Sequence, residues 1–172
     1  IILNDGVRPR VLRIDTLQFA ADTPYETRVV NDPAPGKRVM PVEVAQALRG
    51  ALSQVVDAGT AKRVAGSFKL ADGTPLAMGG KTGTGDNRIE AIGSGGRILS
   101  SKSINRTATF VFYIGDHHFG TLTAFVPGRS AENFKFTSAL PVQVLKGMAP
   151  ILTSYLQPGS DTACQPTQVA QQ

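Results

Sequence analysis

The sequence lacks the features that would place it in several common classes of protein. Its single cysteine, Cys164, excludes an intramolecular disulfide and gives no information about the redox compartment. No apolar run approaches the ~18 to 20 residues needed to cross a bilayer, so we expect a soluble chain. The first residues have no initiator methionine, no basic segment and no cleavage site of a signal peptide. We therefore expect a fragment that starts within a longer protein.

Signatures of nucleic-acid and metal binding are also missing. The net charge is +5, but the basic residues are scattered, without zinc-finger spacing or the aromatic pattern of RNA-binding modules. His117 and His118 follow Asp116, whereas a zinc centre needs three or four ligands at defined spacing. We interpret the charge as solvated surface and the histidines as turn residues, and we predict no nucleic acid, metal or cofactor.

The sequence has the composition and periodicity of a mixed α/β protein. Residues 41–59 begin with Pro41 and carry apolar side chains at three- and four-residue spacing, which predicts a core-facing helix that Gly59 ends. Residues 107–114 and 119–126 predict two strands of a hairpin, and residues 67–78 a shorter one. A second helix is expected over residues 138–156, followed by a polar, disordered tail over residues 157–172.

The most informative segment is residues 79–87, which read GGKTGTGDN. A cation, two hydroxyls and sterically unobstructed main-chain N–H groups gather between Lys81 and Thr84, which is typical of a site for a carboxylate or an oxyanion. A P-loop does not fit, because its first glycine would fall on Pro75. The remaining alternative from the residues alone is a glycine-rich surface loop with an incidental lysine.

Lys-Thr-Gly is one of three signatures of the penicillin-binding proteins and serine β-lactamases. Around it the chain resembles the penicillin-binding transpeptidases, particularly the bifunctional enzymes that also carry a glycosyltransferase domain. The matching stretches are residues 4–6, 23–27, 41–59, 79–88, 105–110 and 136–141. The resemblance implies an α/β fold of the α+β type, with an antiparallel sheet, flanking helices and Lys81 to Thr84 on a strand at the edge of the cleft. It also implies that residues 1–156 are the C-terminal part of a transpeptidase domain.

Two of the three signatures are missing or out of place. No serine is followed by lysine three positions later, so the S-x-x-K nucleophile is absent. Ser103-Ile104-Asn105 matches S-x-N, but in the family that element precedes the K-T-G segment, so we interpret this match as coincidence. We expect this chain alone to be inactive.

The resemblance also assigns roles to single residues. Lys81 and Thr84 would be catalytic, with the Thr84 N–H in the oxyanion hole. Thr82, Gly83 and Thr84 would bind the substrate, and the two threonine hydroxyls would bond its carboxylate or that of a β-lactam. For Asp86, Asn87 and Arg88 we expect only a well-bonded turn.

The implied substrate is the D-alanyl-D-alanine end of the peptidoglycan stem peptide. The parent protein would be anchored at the periplasmic, extracytoplasmic face of the bacterial inner membrane. Alternatives are a stand-alone, non-catalytic module that binds peptidoglycan or a partner, and a phosphate-binding protein that uses Gly80, Lys81 and Thr82. Because part of the sheet would lie outside this chain, we also expect association through a strand edge or exposed apolar surface.

Overall fold

The computed structural model of the chain describes residues 1–11, 14, 16–30 and 36–157. These residues form two compact units, Ile1–Arg49 and Gly50–Gln172, whose boundary falls within a helix. Apart from Gln157, the predicted tail lies outside the described residues, as does Cys164. The expectation that residues 1–156 are one part of a transpeptidase domain stays a prediction.

The first unit contains four short strands and the beginning of a helix. Two antiparallel pairs form, β1 with β4 and β2 with β3. The bounds are β1 (Val7–Arg8), β2 (Thr16–Phe19), β3 (Thr27–Val30), β4 (Lys37–Arg38) and α1 (Val42–Asp57). The β2–β3 hairpin is reinforced by Gln18, whose amide donates to the Glu26 carboxylate at 2.6 Å.

Helix α1 confirms the helix predicted over residues 41–59, although the expectation that it faces the core holds only in part, since Val44 and Leu48 are 45% and 40% exposed. The end of the helix explains Gly59. A Cβ on this residue would lie 2.9 Å from both the Cα and the carbonyl oxygen of Val55. The chain can therefore fold back against the last turn of α1 only because Gly59 has no side chain. The Ala61 N–H then donates to the Val55 carbonyl at 3.0 Å.

The second unit is an antiparallel sheet with a helix and a separate hairpin. Strands β5, β8 and β9 form the sheet in that order, and β6 pairs with β7. The bounds are β5 (Met78–Gly85), β6 (Arg88–Ile92), β7 (Ile98–Ser103), β8 (Asn105–Ile114), β9 (His118–Pro127) and α2 (Ala139–Leu152). The predicted hairpin of residues 107–126, the second helix and the α+β class are confirmed.

The hydrophobic core of this unit lies under the middle of the sheet. Phe110 on β8 is fully buried and is opposite Thr82 on β5 and Leu122 on β9. Around Phe110 the core combines side chains from the end of α1, the loop after it and α2. Its largest fully buried side chains are those of Phe68, Phe110, Leu145, Val56, Val64 and Val142. The strand that carries Lys81 therefore borders the buried core of the unit.

The β6–β7 hairpin is an element that periodicity does not predict. Every residue of β6 is exposed, and Ile89 and Leu99 are 63% and 68% exposed. Four residues of β6, Arg88 to Ala91, do alternate polar and apolar, but the run is short and β7 does not continue it, so periodicity gives only a weak signal of a hairpin. Residues 93–96, Gly-Ser-Gly-Gly, were the available sign of a turn, and Gly95 and Gly96 have φ of 82° and 78°.

None of the helices in the part of the chain that the structure describes is long and apolar enough to cross a membrane.

Candidate functional site

The GGKTGTG segment forms most of β5, which is one of the two edge strands of the three-stranded sheet. It pairs with β8 along its whole length, with Lys81 opposite Val111 and Thr84 opposite Ala108. Within the described residues, the other side of β5 has no hydrogen-bonded strand. Lys81 to Thr84 therefore lie on a strand, as expected, while its place at the edge of a catalytic cleft stays a prediction.

The glycines of β5 divide into two groups with different physical roles. A Cβ on Gly79 would lie 2.6 Å from the Tyr113 hydroxyl oxygen, and one on Gly80 would lie 2.7 Å from Cε2 of Phe110. These two glycines therefore serve internal packing. By contrast, a Cβ on Gly83 or Gly85 would have no heavy atom within 4 Å. Only the second half of the strand is open enough for a ligand to approach its backbone.

Lys81 is exposed on β5 and its ammonium stays close to the strand. The Nζ donates to the main-chain carbonyl oxygen of Thr82 at 2.7 Å. The positive charge is thus held beside the open part of the edge strand, and no carboxylate of the described residues pairs with it. A ligand anion could replace or supplement the carbonyl as its acceptor.

Thr82 points away from Lys81, as the alternation of side chains along a strand requires. Thr82 is only 8% exposed, and its Oγ1 lies 2.6 Å from Oγ1 of Thr60. Thr60 follows the end of α1 and is exposed. Sequence reasoning missed Thr60 because no local pattern indicates a partner 22 residues away.

Thr84 is exposed and connects β5 to the start of α2. Its Oγ1 accepts a hydrogen bond from the main-chain N–H of Ser138 at 2.8 Å. Ser138 is the residue immediately before α2. The hydroxyl is therefore fixed in position, while its own proton stays available to an acceptor.

The turn that follows β5 is held by a polar network. The Asp86 carboxylate accepts from the Ser103 hydroxyl at 2.5 Å and from Nε of Arg88 at 2.9 Å. The Ser103 hydrogen bond, followed by that of Arg88, lowers the pKa of Asp86 below its ordinary value of 3.8. The main-chain N–H of Asn87 donates to the Asn105 side chain at 3.0 Å. Ser103 and Asn105, the two polar residues of the S-x-N match, thus both bond to this turn.

Two hollows of the second unit lie near charged side chains. One, of about 330 Å³, is lined in part by Asp86, Arg88, Ser103 and Arg106. Arg106 is engaged there, since its Nε and Nη2 donate to the Phe136 carbonyl at 3.0 and 2.7 Å. The other, of about 560 Å³, is lined in part by Lys69 and Lys146. Neither hollow is lined by residues 81–84.

Among the described residues, no group of three or more His, Cys, Asp or Glu side chains is arranged to hold a metal ion.

Comparisons of sequence find no match for this chain, and only the comparison of structures identifies its fold. No protein-family model matches the sequence, and no curated protein matches it. Penicillin-binding protein 3 of Mycobacterium tuberculosis, in its complex with aztreonam, aligns with 90% of this chain at a TM-score of 0.51 and 21% identity. The chain has the fold of part of a penicillin-binding protein.

Two weaker structural matches fall in the same group of proteins. The apo form of the same mycobacterial protein matches at a TM-score of 0.48 and 20% identity, over 90% of this chain and 33% of that one. The transpeptidase domain of penicillin-binding protein 3 from Burkholderia pseudomallei matches at 0.43 and 19%, over 87% of this chain and 39% of that one. The fold assignment rests on the first match.

The chain spans about a third of the mycobacterial protein, since the alignment covers 33% of that chain. At 21% identity the likeness assigns the penicillin-binding fold and no residue roles. Roles for Lys81 to Thr84 therefore depend on their own geometry.

Proposed function

We propose that this chain supplies the KTGT wall of the active site of a peptidoglycan D,D-transpeptidase. In this role it binds the terminal carboxylate of the D-alanyl-D-alanine stem peptide, or that of a β-lactam. The observation that carries the proposal is Lys-Thr-Gly-Thr on an open edge strand of a penicillin-binding fold. Such an enzyme would work at the extracytoplasmic face of the inner membrane.

Lys81 and Thr84 are the proposed catalytic residues because both residues are exposed on β5. The ammonium of Lys81 now bonds only a neutral carbonyl in the described structure, and a carboxylate is a stronger acceptor. Thr84 lies on the face of β5 opposite Lys81, but it accepts from Ser138 and so retains a proton that it can donate to a carboxylate at the strand edge, which the long side chain of Lys81 can also reach. Charge-assisted hydrogen bonds of this kind contribute roughly 1.5 to 3 kcal/mol each.

The backbone of the same strand supplies the remaining proposed functions. Gly83 leaves the strand without a side chain where the ligand would lie. The Thr84 N–H would donate to the oxyanion that forms when the substrate carbonyl is attacked. Removing one donor from an oxyanion hole typically lowers the rate of the reaction by ~10² to 10³.

The reaction needs a nucleophile that these residues do not provide. A serine would attack the stem-peptide carbonyl, D-alanine would leave, and an amine of a neighbouring stem would then resolve the acyl-enzyme. Since the sequence has no S-x-x-K, we place that serine on polypeptide outside these 172 residues. The chain alone would then be unable to form the acyl-enzyme.

Fluorescent penicillin tests this assignment directly. We expect an intact protein that contains both these residues and an S-x-x-K serine to become covalently labelled, and the 172-residue chain to stay unlabelled. The assignment would be overturned if the 172-residue chain itself became labelled and the label remained after the protein was denatured, as a covalent bond requires. A serine-to-alanine variant of the intact protein is the matched control for non-specific acylation.

The absence of S-x-x-K also supports a second candidate, a non-catalytic module that binds peptidoglycan or a partner. This candidate would be favoured if the 172-residue chain sediments with purified peptidoglycan and if the Lys81→Ala variant does not.

We further propose that the chain associates with itself, since β9 presents an edge and the sheet carries exposed apolar side chains.

A further inference from the structure

A hydroxyl pair connects the end of α1 with the centre of the candidate site. Oγ1 of Thr60 lies 2.6 Å from Oγ1 of Thr82, and either hydroxyl could be the donor. Thr60 is exposed, whereas Thr82 is 8% exposed and lies between Lys81 and Gly83. The pair thus reaches from the surface to the buried side of the edge strand.

The backbone holds Thr60 firmly from both sides. Before it, Gly59 allows the tight reversal at the end of α1. After it, Ala61 is fully buried and its N–H donates to the Val55 carbonyl at 3.0 Å. A short 3-10 helix, Lys62–Val64, begins directly afterwards and buries Val64. Because both neighbours are fixed, the Thr60 hydroxyl is preorganised toward Thr82.

Thr82 is also the residue to which the ammonium of Lys81 is bonded. Its carbonyl oxygen accepts from Nζ, while its hydroxyl is bonded to Thr60. Across the sheet it is opposite Phe110, which is fully buried and offers no polar partner. Thr60 is therefore the group that sets the orientation of the Thr82 hydroxyl in the described structure.

The direction of the hydrogen bond decides what Thr82 presents to a ligand. Each hydroxyl has one proton and two lone pairs. If Thr82 donates to Thr60, only lone pairs remain, and these repel an anion. If Thr60 donates, the proton of Thr82 is free to point at a carboxylate, and the two bonds strengthen each other. A bound carboxylate therefore selects the arrangement in which Thr60 is the donor.

We propose that Thr60 is a positioning residue of the anion site, whose hydroxyl donates to Thr82 so that Thr82 can donate to the ligand carboxylate. This inference rests on the proposed function and adds a residue to it. Thr60 itself acts through Thr82.

The experiment compares penicillin with its neutral methyl ester, which lacks the carboxylate. Second-order acylation rates are measured for both compounds on the intact protein that contains these residues and its serine. In Thr60→Val, which keeps the shape and removes the hydroxyl, we expect the preference for penicillin over the ester to fall by about three- to tenfold. Thr60→Ser should keep most of the preference. If Thr60→Val does not fold, Thr60→Cys gives the same comparison, because a thiol is a weak donor.

Ser53→Ala is the matched control, since it breaks another hydroxyl pair between α1 and the sheet. Oγ of Ser53 lies 2.7 Å from the Tyr113 hydroxyl oxygen, and this hydrogen bond does not involve residues 81–84. We expect this variant to leave the preference unchanged.

The results separate the inference from the proposed function. Equal slowing of acylation by both compounds in Thr60→Val, or no change in either, would overturn the role of Thr60 while the proposed function stands. If the unmodified protein is not acylated by penicillin, or reacts equally fast with the ester, the proposed function fails and the role of Thr60 fails with it.

Discussion

At the level of single residues, the candidate site consists of a cation that lies beside an open strand edge. The ammonium of Lys81 donates to the carbonyl oxygen of Thr82. A Cβ added to Gly83, two residues further along the strand, would have no neighbouring heavy atom within 4 Å. This arrangement is suited to receive an anion, because the charge is neither neutralised nor covered by a side chain of its own strand.

We predict that Lys81→Ala lowers the rate of acylation by penicillin about tenfold to hundredfold in the intact protein, because one charge-assisted hydrogen bond is lost. Lys102→Ala, which removes an exposed cation on β7, should leave the rate within about twofold, as distant surface charges are screened by salt. Acylation is followed with fluorescent penicillin. Equal effects of the two substitutions would mean that Lys81 contributes only to the general positive charge.

The Asp86 network predicts a dependence of stability on pH. Because its folded-state pKa is lowered, the carboxylate stabilises the fold above the unfolded pKa of about 3.9, and this contribution is lost as the pH falls through the folded value. Ser103→Ala removes the largest cause, so the pKa of Asp86 should rise. The variant should therefore lose more stability at pH 7 than at pH 2.

Carboxyl-carbon NMR titration and urea unfolding of the 172-residue chain measure these two effects. Ser101→Ala is the control, since the Ser101 hydroxyl contacts Arg88 and Glu90 and not Asp86. An unchanged pKa of Asp86 in Ser103→Ala would contradict the assigned cause.

Single residues differed in how far the sequence could predict them. The K-T-G-T pattern predicts Lys81 and Thr84 as site residues, and the period of a strand already requires Thr82 to point away from Lys81. The partners Thr60, Ser138 and Asn105 could not be found in this way, since each contact depends on how distant segments pack. The resemblance assigned Thr82 directly to the ligand, whereas its hydroxyl is also bonded to Thr60.

At the element scale, β5 combines a packed first half with an open second half. The backbone of Gly79 and Gly80 lies against the rings of Tyr113 and Phe110, while Gly83 and Gly85 have space beside them. One glycine-rich strand thus meets two requirements, close packing on the core and an unobstructed edge.

We predict that Gly80→Ala destabilises the 172-residue chain by about 1 to 3 kcal/mol, because the added methyl group would overlap the Phe110 ring and the Val111 carbonyl oxygen. Gly83→Ala should be neutral or stabilise by up to about 1 kcal/mol, since alanine restricts the unfolded chain and meets nothing in the fold. Urea unfolding measures both. If Gly83→Ala is as destabilising as Gly80→Ala, the second half of β5 is not open.

Elements with one buried face were predictable, and elements without one were not. Helix α1 and the β8–β9 hairpin have apolar side chains at the period of their structure. The β6–β7 hairpin and the short strands of the first unit bury little, and the alternation in β2 and β6 extends over only four residues, which is too short to decide the structure.

At the scale of the whole molecule, the second unit leaves apolar side chains uncovered. Val111, Phe119 and Phe125 are 53%, 82% and 55% exposed, and the strand registers put them on the same face of the sheet. In the described residues β9 pairs only with β8, which leaves a ten-residue strand edge. Such surfaces favour association with another chain.

We predict that the 172-residue chain forms dimers or larger species as its concentration rises. Val111→Lys should weaken this association, because it introduces a charge on the apolar face. Size-exclusion chromatography with light scattering measures both. A clean monomer at high concentration would count against the prediction.

The most direct test of the central claim is a crystal structure of the intact protein acylated by a β-lactam. We predict that the ligand carboxylate lies about 3 Å from Oγ1 of Thr84, with Nζ of Lys81 turned from the Thr82 carbonyl toward it. A carboxylate bound elsewhere, with Lys81 still bonded to Thr82 and nothing along the edge of β5, would contradict the account.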